Sequence, residues 1–256
     1  MSGIAESTVS LLSTVGELGI FGLKAVRESI RPPFEGAEII HQLYEIGWRS
    51  GPLVMVSGFA FGVVLAMETG ASMARFGAEA MIPQAVSMGL FTDIGPVVTG
   101  LLVSGRIGAG IGAQLAGMKV TEQIDALESI AVDSFKYLVV TRIAACVIAL
   151  PILTLLLNYS GIAGGMLAEM FARQVSMHQF LNEAFGPMGW SDYIPPTIQT
   201  LVFGFIIGTV SCFLGYTASN GAVGVGRAST RSVVFSSMLL ILSEVILEKI
   251  ILFWFS

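Results

Sequence analysis

Long apolar stretches dominate the chain, near residues 48–70, 84–116, 138–166, 195–216 and 233–255, with short polar segments between them. A helix needs about 20 apolar residues to cross a hydrocarbon core, so the pattern predicts five membrane spans. The second stretch is longer than one crossing requires, roughly 50 Å if helical throughout, and must protrude or bend. Pro83 suits its first turn and Pro96 a kink. Residues 1–31 differ. Leu11, Val15 and Leu18, with Leu12 and Gly19 beside them, recur at helical spacing in a moderately apolar segment that ends in Lys24, Arg27 and Arg31. That pattern predicts an interfacial helix lying along the membrane, broken by Pro32 and Pro33. A second amphipathic stretch sets Ile39, Ile40, Leu43, Tyr44 and Gly47 against Glu38, Gln42 and Glu45, and leads into the first span.

The connections carry patterns of their own. Residues 72–82 form a short loop; the longer one, 168–195, contains Ser176 and Gln179 at capping-box spacing. Met177, Phe180, Leu181, Ala184 and Phe185 then make an apolar stripe, predicting a short helix on the outward membrane surface. The central segment VTEQIDALESIAVDSFKY, residues 120–137, is the most polar between spans. Ile124, Leu127 and Ile130 form one stripe and Glu122, Asp125 and Glu128 another, which predicts an amphipathic helix tied to a span at each end. Its acidic face suits docking into a basic groove of a partner; a solvated loop helix without a partner fits the same pattern. The expected fold is all-α and integral to the membrane, a single membrane domain over 1–256.

Composition supports this. Of 256 residues, 54% are hydrophobic and 12% charged, with a mean hydropathy of +0.80, whereas a soluble domain carries about 25% charged residues. The 30 glycines would weaken a soluble helical protein but let helices approach closely in lipid. Gly58, Gly62, Ala66 and Gly70 recur every four residues in the first span. Gly105, Ala109, Ala113 and Gly117 do so in the second, beside Gly108, Gly112 and Ala116, and Gly161/Gly165 and Gly204/Gly208 add pairs. Packing within one subunit and a dimer seam both fit these stripes. With the N-terminus in the cytoplasm, nine basic residues flank that side (Lys24, Arg27, Arg31, Arg49, Lys119, Lys136, Arg142, Arg227, Arg231) against three on the other (Arg75, Arg173, Lys249), a positive-inside bias. The C-terminus then lies outside.

Several chemistries are excluded. The 13 basic residues form no run, so nothing points to nucleic acid. No lysine follows a glycine-rich loop, so a phosphate-binding G-x-x-x-x-G-K-[ST] is absent, and the glycine clusters at 108–112 and 224–226 lack a strand–turn–helix context. His41 and His178 are too far apart in topology to share a metal, and no Ser-His-Asp arrangement is credible. Cys146 and Cys212 sit in apolar runs as packing residues. The N-terminus has no basic region ahead of its apolar stretch and does not read as a signal peptide.

The run IGPVVTGLLVSGRIGAGIGAQLAGMKVTEQIDALESIAVD, 94–133, resembles the MlaE/YrbE-type permeases, membrane subunits of ABC transporters that work with MCE-domain lipid carriers. HQLYEIG at 41–47, SGFAFGVVLAME at 57–68 and GVGRASTRSVVFSS at 224–237 extend the match in order over nearly the whole chain after about residue 40. The resemblance implies a homodimeric permease moving phospholipid or a related lipid in the inner membrane. It carries no catalysis and no cofactor of its own, since two cytoplasmic ATPase subunits would bind ATP and magnesium. It implies that 120–133 is the coupling helix, with Glu122, Gln123, Asp125, Ala126 and Leu127 transmitting nucleotide-driven motion. An outward cavity would be lined by the first, second and fifth spans, and Leu65, Glu68, Phe76 and Asp93 match lipid-cavity positions. Three departures stand out: Gln114 where the family commonly has an acid, Ser134 in place of the proline of AVDP, and Thr92–Asp93 where some members have Arg-Glu.

Charges inside spans are costly and tend to face a cavity or a partner. Arg106 reads as a structural charge more than a substrate contact, and Glu244 as a structural hydrogen-bonding group more than a proton relay. Glu248 lies one turn on, and Lys249 can snorkel outward. A proton-driven secondary transporter using Asp93, Glu244 and Glu248 is the competing function, although no inverted repeat is evident; a non-transporting membrane scaffold is the third.

Overall fold

The computed structural model describes residues 2–32, 34–219 and 221–255, with side chains for 13, 15–32, 34–219, 221–251 and 253. The described residues are almost wholly helical and contain no strand. Helix α1 spans Ser2–Ser29 and α2 Gly36–Leu43. A wide π turn, Tyr44–Trp48, leads into α3, Arg49–Ala74. After a 3₁₀ turn at Glu79–Met81 come α4 (Ile82–Met88), α5 (Gly95–Val103) and α6 (Ala109–Val120), joined by π segments Gly89–Ile94 and Ser104–Gly108. The short α7 is Gln123–Ser129. A π segment at Lys136–Val140 opens α8, Thr141–Arg173; α9 (Met177–Phe185), α10 (Trp190–Tyr216) and α11 (Gly221–Phe255) complete the chain.

Among the described residues, four helical stretches are long and apolar enough to cross a membrane: Gly36–Ala74, Glu79–Val120, Lys136–Arg173 and Trp190–Tyr216. The apolar stretch 233–255 is not among the four; it forms the C-terminal part of the 35-residue α11, which carries Glu244, Glu248 and Lys249 there. The long second span is interrupted where its sequence requires it. Pro83 sits in the first turn of α4. Pro96 lacks an N–H and crowds the carbonyl four residues back, and the turn before it, Gly89–Ile94, widens to π geometry.

The helices divide into two compact units, residues 1–43, 104–146 and 205–238 in one and 44–103, 147–204 and 239–256 in the other. In the first unit, α1 buries Ala25 and rests Phe21 edge-on against Phe135 and Phe213, with centroids 5.1 and 5.5 Å apart. Its opposite face leaves Ile20 and Leu23 exposed. Small residues bring α6, α10 and α11 together: a Cβ on Gly112 would strike the Ser232 side chain, and one on Gly215 would lie 2.8 Å from the Leu115 Cβ. Ser104 Oγ reaches the hydroxyls of Ser236 at 2.7 Å and Ser237 at 3.0 Å.

In the second unit the stripe Gly58, Gly62, Ala66, Gly70 is buried. A Cβ on Gly62 would collide with the Gly161 carbonyl, one on Gly58 with the Leu157 carbonyl, and one on Gly164 with the Phe59 carbonyl. This stripe therefore serves packing within the chain. In contrast, Gly105 and Gly117 of the second span face open space. Ala66 of this stripe joins a core of Ile82, Val86, Leu90, Phe91, Ile162, Phe180 and Ala184. The short helix expected on the membrane surface is capped as its sequence predicts, Ser176 Oγ accepting from the Gln179 N–H at 3.2 Å. Its apolar stripe, however, packs on protein. Phe180 and Ala184 are fully buried, and the small side chain of Ala184 lets the Ser87 hydroxyl of α4 donate to its carbonyl at 2.6 Å.

Candidate functional site

The connection from α6 to α8 is compact and closed by its own hydrogen bonds. At the end of α6, the Thr121 N–H donates to the Gly117 carbonyl at 3.0 Å. Glu122 then adopts a left-handed conformation, φ 59°, and starts α7. Past α7 the Val132 N–H donates to the Leu127 carbonyl and the Ala131 N–H to the Glu128 carbonyl, both at 3.1 Å, with Ala131 at φ 61°. This is a Schellman cap with alanine where glycine is usual. The helix expected over 120–133 is therefore confined to Gln123–Ser129, because a left-handed residue at each end cannot extend it.

Of the five residues singled out here, Glu122, Gln123, Asp125 and Ala126 are exposed and Leu127 is half-buried. The apolar stripe is cut short: Ile124 is buried, while Ile130, beyond the helix, is exposed. Two of the three acids already have partners. Asp125 pairs with Lys119 at 2.9 Å. The Ser134 hydroxyl donates to Glu128 at 2.6 Å and also meets the Tyr216 hydroxyl at 2.9 Å.

The start of α8 is held equally firmly. Asp133 caps it, its carboxylate accepting from the Lys136 N–H at 3.1 Å. Lys136 Nζ donates to the Arg31 carbonyl at 2.5 Å and Tyr137 donates to Glu38 at 3.3 Å. Phe135 packs edge-on against Tyr216, and Lys24 lies 4.0 Å above its ring. Apart from the local Asp133–Lys136 bond, these partners join residues far apart in the chain and were not legible in the sequence; Ser134 stood out only as a departure.

The four residues matched to a lipid cavity lie in the second unit but are not gathered into one enclosure. Leu65 is partly buried against the core cluster and lies close to Gly89, a Cβ on which would be 3.3 Å from its Cδ2. Glu68 on α3 and Phe76 just beyond it are exposed. Asp93, on the π segment before Pro96, is also exposed and interacts electrostatically with Glu244 and Glu248 of α11. Glu244 accepts a hydrogen bond from the buried amide of Gln199. Arg106 lies half-buried on the π segment Ser104–Gly108. No group of three or more His, Cys, Asp or Glu able to hold a metal occurs among the described residues.

Two further polar sites escaped the sequence reading. Asn158 of α8 is buried with neither side-chain polar atom partnered; it fills the space a side chain on Gly95 would need. Arg173 donates to the Gly70 carbonyl at 2.8 Å and pairs with Glu169 at 3.4 Å. A lone amide in an apolar run and an Arg four residues after a Glu were the available signals.

A family model described as Permease MlaE matches residues 39–250. A probable ABC transporter permease protein of Rickettsia bellii is 39% identical over 249 residues, covering 97% of this chain and 96% of its own length. The intermembrane phospholipid transport system permease protein MlaE of Haemophilus influenzae is 30% identical over 253 residues, covering 98% and 96%. A probable ABC transporter permease protein of Synechocystis is 32% identical over 209 residues, covering 82% and 80%.

Proposed function

The chain belongs to the MlaE permease family, a multi-pass membrane transporter subunit, and on that premise we propose that it moves phospholipid or a related lipid between the inner membrane and an MCE-type carrier. Two copies form the pathway. ATPase subunits dock on the cytoplasmic side, where they bind ATP and magnesium and carry out the hydrolysis; this chain performs no covalent chemistry. The N-terminus lies in the cytoplasm and the C-terminus outside. The observation that carries the reading is α7: a short, capped helix between two long spans, with its apolar side anchored by Ile124 and Gln123, Asp125 and Ala126 left outward.

In this mechanism α7 is the coupling helix. Glu122, Gln123, Asp125, Ala126 and Leu127 receive the ATPase's movement when ATP binds. An acyl chain rests against apolar side chains at the level of Leu65 and Phe76, with Glu68 and Asp93 near the headgroup. ATP-driven movement narrows the pathway and passes the lipid on; hydrolysis resets it. The large hydrophobic residues left exposed among the described residues, including Val56, Phe76, Phe171 and Val245, give this chain the surface that lipid and a second copy require.

The test is charge reversal of Glu122 and Asp125 to lysine, with Lys119→Gln as a control that breaks the Asp125 pair and keeps the acidic face. Co-purification of a Walker-type ATPase is lost with the reversals and retained with the control. ATPase docking and ATP-dependent lipid transfer that survive the reversals would remove α7 from the coupling role.

A further inference from the structure

We propose that Ser134 and Tyr216 are positioning residues that latch the C-terminal end of α7 to the ends of α10 and α1, so that a push on α7 is transmitted instead of being absorbed by a loose corner. The inference rests on the coupling role proposed for α7. The links are continuous within one compact unit. The Ser134 hydroxyl has a single hydrogen, and with that hydrogen on Glu128 the Tyr216 hydroxyl donates to Ser134 in turn. A chain Tyr216–Ser134–Glu128 results, ending on a carboxylate, the arrangement in which successive hydrogen bonds reinforce one another. Ser134 is buried, so water does not readily replace the lost bond.

The next residue carries the connection further. Phe135 is buried and touches Tyr216, the last residue of α10, and Phe21 of α1, while Lys24 of α1 covers its ring. Phe21 also rests against Phe213 one turn before Tyr216. At its other end α7 is tied to α6 by the Lys119–Asp125 pair. Exposed ion pairs of that kind contribute little. The partly buried serine–tyrosine bond therefore supplies most of the orientation, and the aromatic contacts supply stiffness.

The full-length chain is tested with Ser134→Ala, Tyr216→Phe and the double variant, each of which removes only hydroxyl groups. The first readout, hydrogen exchange at the Ala126, Ala131 and Val132 amides in detergent micelles, needs no ATPase. Exchange rises about tenfold in either single variant, the loss of one hydrogen bond to a charged chain, and rises no further in the double variant, because both belong to one chain. The second uses the complex with its ATPase in vesicles of phosphatidylethanolamine and phosphatidylglycerol. The KM for ATP and the amount of bound ATPase are unchanged, while lipid moved per ATP hydrolysed falls about fivefold or more. Unchanged exchange overturns the latch. Faster exchange with unchanged lipid moved per ATP overturns its role in transmission. If the unaltered chain retains no ATPase, it is the proposed function that fails, and the exchange data alone then judge the latch.

Discussion

Gln199 and Glu244, 45 residues apart in sequence, meet through a hydrogen bond in an apolar setting. Glu244 in isolation could have been a proton carrier; the Gln199 amide gives it a structural partner. Glu244→Ala leaves that amide without its acceptor and costs about 1–3 kcal/mol, measurable by denaturation in mixed micelles. Glu244→Gln restores a donor and an acceptor and retains most of the stability. It also retains ATP-dependent transport; selective loss of transport in this variant would favour the proton-driven reading. The glycines make the same point about context. Gly62→Ala forces a methyl into the Gly161 carbonyl and lowers stability by about 1–3 kcal/mol. Gly117→Ala, facing open space, is neutral or favourable by up to about 1 kcal/mol; both follow from thermal melts. The four-residue spacing of both stripes was plain in the sequence. Which of them the chain closes on itself was not, because that depends on which helix lies opposite.

Helices were more legible than their ends. Periodicity marked the helical segment after residue 120, and the capping-box spacing marked α9. The limits of α7 were hidden because its left-handed residues are Glu122 and Ala131 rather than the glycine or asparagine that usually signals a stop. That gives a direct test: Ala131→Gly relieves the left-handed conformation and stabilises the α7 corner by about 1 kcal/mol, seen as slower hydrogen exchange at Val132. For α9 the cap was readable and the packing was not. Its stripe suits lipid and protein equally well, and only long-range contacts distinguish them: the burial of Phe180 and Ala184 in the core, and the Ser87–Ala184 hydrogen bond between residues 97 positions apart. Pro96 announced a disturbance in the second span, which takes the form of a widened turn at Gly89–Ile94.

At the scale of the molecule, hydropathy alone identified a multi-pass helical membrane protein, and the segment 94–133 identified its family. What hydropathy could not supply is the polar wiring, since a hydrogen bond between distant helices leaves no periodic trace. The connection around α7 joins an exposed, acidic helix to the buried Ser134 and Phe135 that follow it. The central claim is ATP-driven lipid movement by a complex containing this chain. It is tested most directly by purifying the full-length chain with its associated subunits from native membranes, reconstituting them in proteoliposomes and following a fluorescent phospholipid with and without MgATP. Transfer that requires MgATP and ceases when the ATPase is omitted is the predicted result. Transfer that proceeds without ATP and follows an imposed proton gradient would contradict it.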